Sequence, residues 1–140
     1  MVYDWRFFAL GSALFAAFTA ILGKQGVMNI NSNLATFIRT VVILIFAAGI
    51  LTWRGEWKSP QSIDSKTIMF LILSGLATGA SWLCYYRALQ LGPASKVAPL
   101  DKLSVAFTIT LAIIFLGEKL TLKTFLGGIL IVFGSIIIAL

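Results

Sequence analysis

Five stretches of this chain stay apolar over helical lengths, and short polar stretches separate them. The run from Phe7 to Gly23 carries no charge and ends at Lys24-Gln25-Gly26, which predicts a first helix over about 5–23 with Trp5 at the membrane–water interface. Asn29-Ile30-Asn31-Ser32-Asn33 then offers N-cap chemistry for a second helix over about 34–53, with Arg39 inside it. The stretch Arg54 to Lys66 holds Gly55, Pro60, three Lys/Arg and two acids; it is the longest connection and belongs in water. A third helix over about 67–90 is uncharged until Arg87 and stops at Gly92-Pro93. A fourth over about 94–116 carries Lys96, Pro99, Asp101 and Lys102 in its first turns. Gly117-Glu118-Lys119 turns the chain, and Thr121 caps a fifth helix over about 122–140. Membrane-barrel strands would alternate apolar and polar residues, whereas these runs are continuously apolar. The expected fold is all-α and integral to the membrane: five transmembrane helices in one domain over residues 1–140.

Composition narrows the function classes. With 59% hydrophobic and 11% charged residues, the chain is far too apolar for a water-soluble domain. The net charge of +6 would suggest nucleic acid in a soluble protein; here anionic lipid and positive-inside loops explain it, and no nucleic-acid partner is expected. Cys84 is the one cysteine and histidine is absent, which removes disulfide frameworks, Cys/His metal sites and imidazole acid–base chemistry. No nucleophile–base pair or acid cluster is visible, so neither an enzyme, a metal nor a cofactor is expected. Arg6 ahead of an apolar run suggests a signal sequence, but Asp4 weakens the basic region and the run is long, so the segment reads as a retained first helix.

Charges inside the apolar runs point to a site. Counting from a cytoplasmic N-terminus, the inner side holds Arg6, Arg54, Lys58, Lys66, Lys119 and Lys123, against Lys24, Arg39, Arg87, Lys96 and Lys102 outside. Such a near-tie suits insertion both ways round; setting aside Arg39, Arg87 and Lys102 as intramembrane leaves six against two and a single orientation. Arg39, Asp101 and Lys102 all fall ~8–12 Å below the same surface, where Lys24 and Arg87 also end their helices. Charges at that depth pair with one another or face a wet cavity. One arrangement is an Arg39–Asp101 ion pair with Lys24 and Lys102 snorkelling to the headgroups. The other is a solute site favouring an anionic or zwitterionic ligand. Asp101 and Lys102, as neighbours about 100° apart on a helix, are not expected to pair.

Helix 3 aligns Gly75, Gly79, Trp82 and Tyr86 at i, i+4, i+7 and i+11, one face with a small-residue notch and two aromatics. That face is either a packing groove with belt aromatics or a wall of a solute path offering cation–π contacts. Ser12, Ala16 and Ala20 on helix 1, and Gly127, Gly128, Gly134 and Ser135 on helix 5, read as close-packing faces, with helix 5 the natural dimer helix. Pro99 is placed to loosen helix 4 beside Asp101.

The segments Ala88-Leu-Gln-Leu-Gly-Pro-Ala-Ser-Lys-Val-Ala-Pro-Leu-Asp-Lys-Leu-Ser-Val105 and Leu116-Gly-Glu-Lys-Leu-Thr-Leu-Lys-Thr-Phe-Leu-Gly-Gly-Ile-Leu-Ile-Val-Phe-Gly134 resemble the EamA domain of the drug/metabolite transporter superfamily, the Leu-Gly-Glu before a Gly-rich last helix being the most specific part. Typical members of that family carry two such domains, the second inverted, and move small metabolites. The resemblance implies that this chain is a short five-helix member, half of an inverted-repeat transporter, completed most simply by a second copy of itself. The short multidrug members of the superfamily use a carboxylate in helix 1, which this sequence lacks beyond Asp4; Asp101 and Glu118 remain as proton-coupling candidates, Glu118 more as a cap for helix 5.

The expected function is therefore a multi-pass transporter subunit in the cytoplasmic membrane. It would move a small polar metabolite or related solute, secondary-active, as an antiparallel homodimer. Arg39, Asp101, Lys102 and Lys24 would bind the solute, Trp82 and Tyr86 would shape the site, and Gly75, Gly79, Gly127, Gly128 and Gly134 would serve helix packing or the dimer. The alternative is a non-transporting assembly or regulatory subunit of a hetero-oligomer.

Overall fold

The computed structural model describes residues 4–59 and 63–140. Helices occupy Trp5–Val27 (α1), Ser32–Arg54 (α2), Ser65–Leu91 (α3), Ala94–Asp101 (α4), Ser104–Leu116 (α5) and Leu122–Ala139 (α6), with no strand among the described residues. Five stretches are long and apolar enough to cross a bilayer, Ala94–Leu116 counting as one. Pro60, within the expected water-exposed connection, lies outside the described residues.

Helix ends follow local chemistry. The Asn31 side chain accepts the Asn33 N–H at 2.8 Å and starts α2, and Thr121 accepts the Thr124 N–H at 3.1 Å to start α6. Gly55 and Gly117 close α2 and α5 at φ of 64° and 66°, a left-handed turn that glycine makes without steric cost. The first helix runs past Gly23 to Val27, because Lys24 and Gln25 are good helix formers and a lone Gly26 costs less than the turn is worth.

The fourth span differs most from expectation. A continuous helix is predicted over about 94–116, yet α4 ends at Asp101 and α5 begins at Ser104. Pro99 has no N–H to donate and its ring crowds the carbonyl one turn back, so the helix tightens beyond it. Lys102 and Leu103 donate to the carbonyls of Pro99 and Leu100 at 3.0 and 3.1 Å, and Val105 and Ala106 to those of Lys102 and Leu103, both at 3.0 Å. All four are i→i−3 bonds of the 3₁₀ kind.

The chain forms two compact units: Gln25–Gln90, and the residues up to Lys24 with Leu91–Leu140. In the first, the Gln90 amide donates to the carbonyls of Val27 and Ile30 at 2.9 and 2.7 Å, and Val27 and Leu89 are fully buried. In the second, α4 and α5 both pack on α6, and Lys96 Nζ donates to the carbonyls of Ala139 and Leu140 at 3.3 and 3.2 Å. Such lysine bonds satisfy carbonyls that a helix end leaves open.

Little of each apolar run is covered by protein. At most 11% of any apolar window is buried, and Phe7, Phe37, Leu44, Leu71, Phe107 and Leu130 are well exposed. Soluble monomers do not carry apolar surface on that scale, so its solvent is lipid and the protein is a multi-pass membrane protein.

Candidate functional site

Within Gln25–Gln90, one intramembrane cation is held by aromatic rings. Arg39 lies about a third of the way along α2, and Trp82 and Tyr86 stand one turn apart in α3. The Arg39 Cζ sits 3.9 Å from the Trp82 ring centroid and 5.4 Å from that of Tyr86. Tyr86 is buried and meets Tyr85 edge-on at 6.5 Å, while Arg39 and Trp82 are half-buried. The structure thus brings together Arg39, Trp82 and Tyr86 from the sequence-predicted set.

What Arg39 lacks is as informative as what it touches. Within its unit the Arg39 side chain joins no ion pair and no hydrogen bond among the described residues. The threonines beside it are spoken for: Thr36 donates to the Ser32 carbonyl at 2.9 Å and Thr40 to that of Thr36 at 2.8 Å. An arginine at the centre of a span costs about 2.5–3.5 kcal/mol on insertion scales, an upper bound for Arg39 a third of the way along. Cation–π contacts return about 0.5–2 kcal/mol. The rings therefore offset much of the charge, but a ring face does nothing for the N–H donors at the guanidinium edge, and each donor left without a partner costs about 1–3 kcal/mol.

The remaining residues predicted at the solute, Asp101, Lys102 and Lys24, sit in the other unit. Asp101 and Lys102 pair at 3.6 Å, with side chains 40% and 54% exposed. The expectation that these neighbours point apart is corrected here: it assumed a regular helix through both, and α4 ends at Asp101 with Lys102 in the following turn. Lys24, expected at the solute, donates to the Gly92 carbonyl at 3.0 Å. Of the five glycines, only Gly128 lies close to another helix: a Cβ there would stand 3.1 Å from Ile109 Cδ1, whereas Gly75, Gly79, Gly127 and Gly134 would meet nothing within 4 Å.

Two features escaped the sequence reading. Gln90 accepts from Arg87 Nη1 at 3.0 Å while its amide spans two backbone carbonyls, a clamp no motif announces. An apolar groove of about 400 Å³ runs between α5 and α6, lined by Ile109, Ile113, Phe125, Gly128, Ile129 and Val132. Its Gly128 floor was visible in the sequence, its depth was not. Among the described residues no three His, Cys, Asp or Glu side chains group to hold a metal ion.

Comparison with known proteins agrees with this architecture. The EamA-like transporter family matches residues 5–140. A Sinorhizobium protein described as an uncharacterized transporter in the cobO 3′ region is 53% identical over 139 residues, 99% of each chain. The human solute carrier family 35 member G1 is 32% identical over 130 residues, 92% of this chain but 34% of its own length. A Yersinia pseudotuberculosis protein described as a probable 4-amino-4-deoxy-L-arabinose-phosphoundecaprenol flippase subunit, ArnE, is 27% identical over 107 residues, 69% of this chain and 94% of its own. No solved structure matches the chain. With five apolar spans and a family match across nearly its whole length, the chain belongs to the EamA-like transporter family of the drug/metabolite transporter superfamily.

Proposed function

We propose that the protein is a subunit that moves a small polar metabolite or related solute across the cytoplasmic membrane, as a secondary-active carrier formed by two antiparallel copies. The observation that carries this reading is Arg39, held over Trp82 at 3.9 Å inside a span and joined to neither acid of its own unit. A charge whose only role was to lock helices would be paired; one meant for a solute is positioned and left available.

Other facts support the dimer. An odd number of spans means that a second copy, to complete an inverted repeat, inserts the other way round. The human relative is about three times as long, as expected if one chain there does the work of more than one here. The Yersinia relative is described as a flippase subunit, which supports a chain of this size working as part of an assembly.

The test is flux in proteoliposomes of purified protein, using a panel of labelled metabolites under proton and sodium gradients. Uptake of at least one solute is expected, falling about tenfold or more in Arg39→Ala while the oligomer persists. Inactivity across the panel, with a two-domain relative active in the same vesicles, would overturn the reading in favour of a non-transporting subunit.

A further inference from the structure

We infer that Arg39 is an oxyanion-binding residue: held against Trp82 and Tyr86, it takes a carboxylate or phosphate group through its guanidinium N–H donors. This rests on the reading of Arg39 as the group that faces the solute, and goes further by naming the chemistry it recognises.

Three observations lead to it. First, the neighbours of the guanidinium are rings. The Arg39 Cζ lies over the Trp82 ring at 3.9 Å from its centroid, and a ring face leaves the N–H donors of the group without oxygen partners. That planar fork is complementary to two oxygens of a carboxylate or phosphate.

Second, the unit that holds Arg39 has no acid left to give it. Glu56 and Asp64 are the acids of Gln25–Gln90. Glu56 pairs with Arg54 at 3.1 Å, and Asp64 accepts the backbone N–H groups of Lys66 and Thr67 at 3.1 and 3.4 Å, capping the start of α3. Both also lie at the far ends of their helices. Fifteen residues of α2 separate Arg39 from Arg54, ~22 Å at 1.5 Å per residue, and a still longer stretch of α3 separates Asp64 from Trp82.

Third, the neighbouring hydroxyls cannot substitute. Thr36 and Thr40 spend their protons on backbone carbonyls of their own helix. Such a group recruits its counter-charge from outside the unit. A lysine here would bind as a point charge and lose the two-point geometry, so the choice of arginine fits selection for a planar oxyanion.

The same chemistry is offered by a soluble metabolite and by a lipid headgroup, and the experiment separates the two. The full chain carrying Trp5→Phe, Trp53→Phe and Trp57→Phe is purified in dodecyl maltoside, so that Trp82 alone reports by fluorescence. It is titrated with inorganic phosphate, succinate, dihexanoyl phosphatidate and, as a neutral control, glucose. A saturable change with phosphate or succinate is expected, weakened tenfold or more by Arg39→Gln and a few-fold by Arg39→Lys. A response to the phosphatidate alone, equally lost in Arg39→Gln, supports the same site with a headgroup as its ligand. No response to any anion, or responses untouched by Arg39→Gln, would overturn the inference. Failure here is distinguishable from failure of the transporter reading. Solute flux by the wild-type protein with no response to any anion keeps the transporter and removes the oxyanion site, while anion binding at Arg39 without flux does the reverse.

Discussion

Lys24 donates its ammonium to the carbonyl oxygen of Gly92 at 3.0 Å, a contact spanning 68 residues of sequence. Gly92 stands just beyond the last residue of α3, where carbonyls lack helical partners, so the lysine supplies a donor that the backbone cannot. A hydrogen bond to a charged group contributes about 1.5–3 kcal/mol. Lys24→Met should therefore lower stability by at least about 1 kcal/mol in detergent melts and leave solute affinity within twofold. A tenfold loss of affinity without a fall in melting temperature would return Lys24 to the solute site.

The Asp101–Lys102 pair is short-range and half exposed, at 3.6 Å with both side chains 40% or more accessible. Pairs that water reaches couple by about 0.2–1 kcal/mol. A double-mutant cycle of Asp101→Asn and Lys102→Gln, read by thermal unfolding, should return a coupling in that range. A coupling of several kcal/mol would show the pair to be sealed from solvent.

Gly128 and Gly75 should respond in opposite ways to added bulk. A side chain at Gly128 meets Ile109 Cδ1 at once, and one at Gly75 meets nothing within 4 Å. Because Ile109 can shift, Gly128→Ala should be mild, whereas Gly128→Leu should force α5 from α6 at a cost of about 1–3 kcal/mol. Gly75→Ala should leave monomer stability unchanged or slightly raised, since alanine favours the helix. If Gly75 faces a second copy, the same change will weaken self-association in sedimentation experiments.

Antiparallel pairing predicts two orientations of one chain. With Cys84→Ser removing the native thiol, single cysteines at Asp4 and Trp57 should label from both faces of intact cells. Labelling from one face alone would exclude that dimer and send the search to a parallel assembly or a different partner.

The five spans were legible because uninterrupted apolar runs are decisive in a membrane protein, and because Asn31, Thr121, Gly55 and Gly117 mark helix ends by chemistry that acts within a few residues. Trp82 and Tyr86 could be placed on one face by helical spacing, and Arg39 recognised as an intramembrane charge. Their contact at 3.9 and 5.4 Å depends on how α2 and α3 are rotated, which spacing within one helix does not determine. The Asp101–Lys102 pair was misjudged for a related reason. Pro99 was identified as a weak point, but where the helix yields is set by which carbonyls the next N–H groups can reach, and that is a property of the folded backbone. Gln90 carried no signal because an amide near a helix end has many possible partners, and only the path of the chain around Val27 and Ile30 selects two of them.

The interruption between α4 and α5 has a mechanical consequence. An intact helix in hydrocarbon resists bending, since any hydrogen bond opened there finds no water to replace it. At Lys102 and Leu103 the bonds run i→i−3, whose geometry is poorer than that of α-helical bonds, so the backbone is held less firmly there than in the segments on either side. The fourth span is thus a short segment of about 12 Å and a longer one of about 20 Å that meet at its least regular turn, and an ion pair sits at that turn.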